Sequence, residues 1–456
     1  MYVCGPTVYS DVHLGNCRTF MSFDMMYRFL LYLGYKVRYV HDGEDRISKG
    51  SRLENLEPME IVQKYTNGFH DMMDVFNCLR PSIEPKATGH IVEQIQMVQA
   101  ILDNGLAYEI NGSVYFDTVK FASSSDEYGQ LSGRKIEELI AESRSDLKNQ
   151  DEKRHPSDFA IWIKASDEHI MKWPSPWSIG FPGWHLECSV MSTKYLGNHF
   201  DIHGGGNDLK FPHHENEIAQ NFGACDCAPA NYWLHTNMLL LNGKKMSKSD
   251  GNNISPEELF SGESMHVKKG YSPMAVRFFG LQAHYGSPLD MTDSGMLAAE
   301  KGLKKLMAAN TVLQSLITTA TTGSQDAELH KQMDAVIAEM CDDFNTPKAL
   351  ARMFEIVPKI NSWHEGLTSL DEVSKDTLNK LMKLFNDMIF EVFGLKDEDQ
   401  GSNHNELDQV MQLVIDIRAQ SRADKNWAIS DQIRDHLAAA NIQLKDGKDG
   451  TTWSKN

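Results

Sequence analysis

Nothing in the sequence reads as a membrane span. No apolar run approaches the roughly 20 residues that a hydrocarbon core demands, and the first residues lack the basic-then-apolar pattern of an export signal. A soluble cytoplasmic protein, with no membrane partner, is expected. A disulfide framework is missing too. Seven cysteines, at positions 4, 17, 78, 188, 225, 227 and 341, are odd in number and irregular in spacing, which suits reduced thiols or metal ligands. The Asn111-Gly112-Ser113 sequon is then fortuitous. Positive charge is in short supply: 45 Lys+Arg against 63 Asp+Glu give a net charge of −18. That excludes a general nucleic-acid coat, because backbone binding needs cations to neutralise phosphates. A local basic surface stays open. From Gly401 onward 7 basic residues nearly balance 8 acidic ones, so the acidic excess lies in the first 400 residues.

A chain of 456 residues is too long for one core and implies two to four domains. It opens MYVCGPTVYSDVHLGNCRTF: a strand over Met1 to Cys4, a Gly-Pro turn, a polar loop, then a helix through Arg18 to Leu33. A strand, loop and helix in that order is where nucleotide-binding α/β proteins hold phosphate. Gly15 permits close backbone approach, and His13 and Asn16 offer donors. After the strand-like KVRYV the α/β pattern pauses. It resumes with GNHFDIHGGG (strand into glycine loop), HHENEIAQNF (helix) and NYWLHTNMLLLNG (strand). The stretch between, from about Ile91 to Pro182, is of mixed character, with a strand-like GSVYFDT and a Trp/Pro-rich WPSPWSIGFPGWH. A split α/β domain with an inserted module accounts for this order. From about Asp290 the pattern is helix-periodic, and the polar linker KDEDQGSNHNE precedes a last module of about fifty residues.

Two segments carry chemistry. In FPHHENEIAQ, His213 and Glu217 stand at i and i+4, on one face of a helix. The plainer reading is a surface His/Glu pair. With Cys4 at a strand end and Cys188 in PGWHLECS, however, they make a two-thiolate, one-imidazole, one-carboxylate set that suits tetrahedral zinc. Cys225 and Cys227, the rival donors, read as free thiols. In NGKKMSKSDGNN, residues 242 to 253, three lysines and small hydroxyl residues offer mobile positive charge for a polyphosphate. The order of a G-x-x-x-x-G-K-[ST] phosphate loop is absent there.

HLGN at 13 to 16 and KMSKS at 245 to 249 resemble the two signature motifs of class I aminoacyl-tRNA synthetases. MYVCGPTVY, PGWHLECS, DIHGGGNDLKFPHHENEIAQ and the final DGKDGTTW resemble the cysteine-specific branch of that class, over essentially the whole chain. The resemblance implies an α/β fold: a Rossmann-like parallel-sheet catalytic domain split by an inserted module, then a helical bundle and a small C-terminal anticodon-binding domain. The divisions expected are 1–90 and 183–245 for the two catalytic halves, 91–182 for the insert, 246–290 for the KMSKS loop and stem-contact region, 291–398 for the bundle and 399–456 for the anticodon module. It also implies one Zn2+ on Cys4, Cys188, His213 and Glu217. That zinc takes the thiolate of substrate L-cysteine as an added ligand and so rejects serine without an editing domain. Trp184 falls on a pocket wall and Asp208 on a polar anchor for the amino acid or adenylate. His13, Gly15 and Asn16 fall on ATP phosphates, Gly204, Gly205 and Gly206 on close packing around adenosine, and Lys245 and Lys248 on departing pyrophosphate, with Mg2+ accompanying ATP. Arg422, Trp427, Asp431 and Asp446 fall on anticodon-reading positions for tRNA(Cys); a core role for Trp427 is the alternative. A monomer is expected.

Three departures from the family pattern stand out. The family carries a stretch before MYVCG, often an added edge strand, whereas this sequence starts at Met1. It also follows KVRYV with an Asn-x-Thr-Asp segment whose threonine lies near the substrate pocket. Here Val40 runs straight into His41-Asp42, which is either a true deletion or, as the abrupt join favours, an omitted loop, with Val40 and His41 then not bonded neighbours. Asn16 replaces the second histidine of the first signature and keeps a donor. Two rival functions share these motifs. A cysteine ligase acting on an amino-sugar lacks the tRNA-reading C-terminus that residues 401 to 456 supply. A catalytically inactive tRNA-binding paralogue has no need of His13, Lys245 and Lys248.

Overall fold

The computed structural model describes residues 1–6, 10–42, 57–125, 127–133, 152–246, 251–398, 404–423, 426–439, 442–447 and 450–455. They form two compact units, Met1–Leu395 and Lys396–Asn456.

The catalytic sheet expected from the sequence is present. Four parallel strands run in the order Val40–His41, Tyr2–Val3, Phe200–Gly206, Ala230–Thr236. Residues 201 apart thus become ladder neighbours: Tyr2 pairs with His203 and Val3 with Gly204. The first helix, Leu14–Tyr32, begins earlier than the reading from Arg18. His13 is its N-cap, and its ring Nδ1 accepts the Asn16 backbone N–H at 3.3 Å. The strand Val40–His41 passes unbroken through the suspected gap. Val40 and His41 are adjacent strand residues, bonded neighbours as they stand in the sequence.

The mixed stretch between the two halves is an antiparallel sheet ordered Ala107–Ile110, Ser113–Phe116, Phe159–Lys164, Ile179–Pro182, Trp173–Pro174. The Asn111-Gly112 sequon is its hairpin turn, with φ of 53° and 88° closing the pair Ile110–Ser113, as a two-residue mirror-image turn requires. Val98, Ile101, Val114, Phe116, Ile161 and Trp162 form this module's core. NYWLHTNMLLLNG, read as one strand, breaks at Asn237-Met238 into Ala230–Thr236 and Leu239–Leu241. The second piece pairs with Lys244–Lys245 and Leu289–Met291 in a separate sheet.

The helix-periodic region folds as Asp293–Ser315, Asp326–Cys341, Thr346–His364 and Lys375–Asn386. It shares one continuous apolar core with the first helix, in which Phe23, Phe29, Leu306, Ile356 and Phe385 are all buried. A charged knot crosses this core. Asp24 is 2% exposed and accepts from both Arg28 (2.9 Å) and Arg277. The two guanidiniums also bond the carbonyls of Phe76, Asn77, Glu391 and Phe393. Gly394, at φ 61°, lies where a Cβ would meet Arg277. Cys17, on the first helix, is fully buried. In the second unit, helices His404–Ala423 and Trp427–Ala439 precede a hairpin of Ile442–Gly447 and Gly450–Lys455. No helix among the described residues is long and apolar enough to cross a membrane.

Removing one partner of a buried ion pair leaves the other charge uncompensated. Asp24→Asn, which strands two guanidiniums, is expected to cost about 3 to 5 kcal/mol, read as a lowered midpoint in urea unfolding followed by tryptophan fluorescence.

Candidate active site

The candidate site lies at the carboxyl ends of the parallel strands, where open α/β sheets place their ligands. Cys4 immediately follows Val3, and its N–H continues the ladder to the Gly204 carbonyl at 3.1 Å. Cys188 sits on the helix Trp184–Leu196. His213 lies in the irregular turn Lys210–His214, and Glu217 on the helix Glu215–Cys225 that follows it. One donor atom from each of the four comes within 4.8 Å of the others, and all four residues are buried. Sγ of Cys4 and Sγ of Cys188 are 3.7 Å apart, Cys4 Sγ and Glu217 Oε1 3.8 Å, His213 Nε2 and Cys188 Sγ 3.3 Å, and His213 Nε2 and Glu217 Oε1 3.2 Å.

These are the edges of a polyhedron of the right size for zinc. Zinc bonds of about 2.3 Å to sulfur and about 2.0 Å to nitrogen or oxygen imply tetrahedral edges of roughly 3.8 Å between sulfurs and about 3.3 Å between the lighter donors. The electrostatics agree. Burial pushes the Cys4 thiol up to about 12 and the Cys188 thiol well above its usual value, raises Glu217, and holds His213 well below the ordinary imidazole range. In each case burial works against the charged form, and a divalent ion reverses that preference for the thiols and the carboxylate.

Neighbouring groups orient the quartet, and the sequence reading missed them. His185 Nδ1 lies 2.9 Å from His213 Nδ1, leaving Nε2 of His213 toward Cys188 and Glu217. His203 Nε2 holds the second oxygen of Glu217 at 2.8 Å. His214 Nε2 is 3.3 Å from Cys4 Sγ, and its Nδ1 is 2.8 Å from His235 Nε2. The thiol of Cys188 donates to Asp42 at 3.0 Å, and the other oxygen of Asp42 accepts the Gly5 N–H. Cys4, His203, His214 and Glu217 form a second group of metal-binding size that shares two members with the first. The signal for these residues lay inside the quoted motifs, in DIHGGG, PGWHLE and HHENE. Only contact across the sheet separates ligand from support.

The remaining sequence candidates divide. Trp184 is half-buried, with its ring centroid 4.5 Å from that of His213. Asp208 is exposed in the turn Asn207–Leu209. His13 is exposed, and a Cβ on Gly15 would press on its ring at 3.1 Å. At Gly204 the space for a Cβ is taken by the Phe23 ring, and at Gly205 by Leu209 and His214, so protein already packs there. At Gly206 only the Asp208 carboxylate stands in the way. Lys245 is exposed on its strand, whose carbonyl accepts from the Asn252 side chain at 3.1 Å. Lys248 lies outside the described residues. Cys225 and Cys227 are not free thiols: they are paired as a disulfide. Asp226, left-handed at φ 53°, turns the chain back at the helix end and brings the two Cα atoms to 5.5 Å.

Residues 1–301 match the family model described as the tRNA synthetases class I (C) catalytic domain. The protein named cysteine--tRNA ligase from Bacteroides thetaiotaomicron is 48% identical over 471 aligned positions, covering all of this chain and 94% of that one. The chain belongs to the cysteine–tRNA ligase family. The family member from Porphyromonas gingivalis is likewise 48% identical over 472 positions, again covering 100% of this chain and 94% of its own. Both alignments exceed 456 positions, so these family members carry residues within the matched region that this chain lacks. A model described as the DALR domain matches residues 335–396, inside the helical bundle and short of the C-terminal unit. Among solved structures, Mycobacterium tuberculosis methionyl-tRNA synthetase in complex with methionyl-adenylate aligns with a TM-score of 0.63 at 12% identity. It covers 86% of this chain and 91% of that one. That likeness carries the class I fold.

In the C-terminal unit Arg422 is exposed and Trp427 is 56% exposed, so Trp427 is no core residue. Asp431 is exposed and paired with Arg434 at 3.2 Å. Asp446 lies in the strand Ile442–Gly447.

The glycine geometry separates two substitutions that look alike in sequence. Gly204→Ala is expected to force its methyl into Phe23 and lower stability by about 1 to 3 kcal/mol. Gly206→Ala, opposed only by a movable carboxylate, should leave the thermal midpoint near that of the parent. Thermal unfolding of both variants checks the contrast.

Proposed function

We propose that this chain joins L-cysteine to tRNA(Cys) at the expense of ATP, through a cysteinyl-adenylate, with the amino acid selected at a zinc held by Cys4, Cys188, His213 and Glu217. The observation that carries this reading is the buried quartet, sized for zinc, at the carboxyl ends of the strands. Of the two groups that share Cys4 and Glu217, this one contains both thiols, the stronger donor set for zinc. His203 and His214 then act as outer partners. When bound, zinc supplies a Lewis acid that a substrate thiolate ligates and a serine hydroxyl does not.

The cysteine carboxylate is already a nucleophile, so this chain needs no catalytic serine or cysteine. It attacks the α-phosphate of ATP, and pyrophosphate leaves. A ribose hydroxyl at the tRNA 3′ end then takes the cysteinyl group, and AMP leaves. The protein's part is alignment and charge stabilisation. His13, Gly15 and Asn16 at the helix start meet the phosphates, with Mg2+ accompanying ATP, and Lys245 and Lys248 stabilise the charge on departing pyrophosphate. Trp184 walls the amino-acid pocket, and Asp208, at the open end of the glycine strand, anchors the amino group or adenylate. Arg422, Trp427, Asp431 and Asp446 read the anticodon, a role that the exposure of Arg422, Trp427 and Asp431 permits.

Cysteine-dependent ATP–pyrophosphate exchange, with serine as control, tests the first half-reaction, and charging of tRNA(Cys) the second. Exchange without charging would favour the amino-sugar ligase, and no exchange with cysteine would refute the proposal. Cys188→Ser should lower bound zinc and cysteine affinity together, measured by metal analysis and calorimetry. Lys248→Ala should slow adenylation by about 10- to 1000-fold, the range for losing one transition-state charge donor, with zinc content unchanged.

A further inference from the structure

Arg18 is 3% exposed, and no carboxylate among the described residues lies within ion-pair distance of it. Burial brings its guanidinium down to about 10. A buried cation without an anion is costly, and a methionine would fill comparable volume. What the guanidinium has instead is a cage of backbone carbonyls. Nη1 donates to Asn237 at 2.8 Å and Met238 at 2.7 Å, and Nη2 to Ser287 at 2.5 Å and His284 at 3.4 Å.

Those carbonyls belong to two segments that matter for the nucleotide. Asn237-Met238 is the break between the last strand of the parallel sheet and Leu239–Leu241. The latter pairs with Lys244–Lys245, at the start of the lysine-rich loop. His284 to Ser287 leads into Leu289–Met291, which pairs with Leu239–Leu241 from the other side. The two segments are also bonded to each other, Asn237 N–H to the Tyr285 carbonyl at 2.8 Å and Leu289 N–H to the Met238 carbonyl at 3.2 Å. Arg18 itself stands five residues past His13, on the helix whose N-terminus presents His13 and Asn16. Next to it, the Thr19 hydroxyl meets the Thr236 hydroxyl at 2.9 Å, at the end of the preceding strand.

We infer that Arg18 is a positioning residue: it sets the separation between the helix start bearing His13 and Asn16 and the strand bearing Lys245, so that both reach one ATP. This rests on the adenylation reading above. A planar fork is needed because four carbonyls on two segments must be met at once; an ammonium is a compact donor that cannot bridge them in one fixed geometry. Arg18 touches neither zinc nor amino acid in this arrangement, so its loss acts on the transition state and leaves the amino-acid pocket intact.

The test compares R18K and R18M with the parent in two independent readouts. In backbone hydrogen exchange, residues 239–245 should exchange at least about tenfold faster in both variants, while residues 215–225, which bear Glu217, stay as protected as in the parent. In cysteine-dependent ATP–pyrophosphate exchange, kcat should fall at least about tenfold, with KM for cysteine and bound zinc within about twofold of the parent. R18K with parental kcat, or with unchanged exchange at 239–245, overturns the inference. Equal loss of protection across the whole unit also overturns it, because that reports a merely structural role. A parent enzyme without cysteine-dependent exchange refutes the adenylation reading instead, and the hydrogen-exchange pattern then decides the clamp by itself. Should R18M fail to fold, R18K carries both readouts.

Discussion

The molecule's chemistry depends on the parallel pairing of Tyr2–Val3 with Phe200–Gly206. Its register puts Val3 opposite Gly204, and the ladder continues through the Cys4 N–H. Side chains alternate along a strand, so a one-residue slip would turn Cys4 to the opposite face of the sheet. The register is defended from both sides. Tyr2 and Val3 are fully buried, and Gly204 gives the Phe23 ring the space that a side chain would occupy. Correct pairing of two short segments therefore delivers a thiol, and the closeness of the first helix to the sheet, in a single act.

Around that pairing, polar groups buried in the molecule fall into two kinds. Near Cys4 a cluster of buried thiols, imidazoles and carboxylates converges, its members oriented by neighbours: His213 by His185, Glu217 by His203. Elsewhere Asp24 sits between Arg28 and Arg277, one carboxylate shared by two cations whose remaining donors are spent on backbone carbonyls. The first arrangement has coordination capacity left over and the second has none. That difference separates a cluster of a size to hold an ion from a knot that joins the first helix to the helical bundle. Arg18 belongs to neither kind, a cation caged by carbonyls alone.

Much of this was legible in the sequence, and the reasons are local. Strand–loop–helix order, the 3.6-residue period after Asp290 and the helical i, i+4 spacing of His213 and Glu217 are short-range signals, and all three are realised. Cys4 and Cys188 joined the ligand set through chemical type and family likeness, since no spacing connects positions 184 residues apart. What escaped depends on contacts across the sheet. His185, His203, His214 and His235 differ from ordinary core histidines only in which atoms they face. The disulfide escaped because a left-handed Asp226 is needed to bring Cys225 and Cys227 together, and an odd cysteine count argued the other way. Gly204 and Gly205 were read as making room for a ligand, and the Cβ positions they leave free are filled by the protein's own side chains.

The 213-residue separation of Cys4 and Glu217 has a consequence for how the molecule is made. A ribosome adding about 5 to 20 residues per second incorporates Cys4 roughly 10 to 40 seconds before Glu217. Through that interval the inserted antiparallel module, whose contacts are local, can fold, while Tyr2–Val3 has no Phe200–Gly206 to pair with. Such long-range parallel pairing is slow because loop closure precedes its reward. The first thiol synthesised must therefore wait, exposed to stray metal and oxidant, for the last ligand to arrive. The split of the catalytic sheet makes assembly of its reactive centre a late event, and a chain truncated before Glu217 cannot complete it.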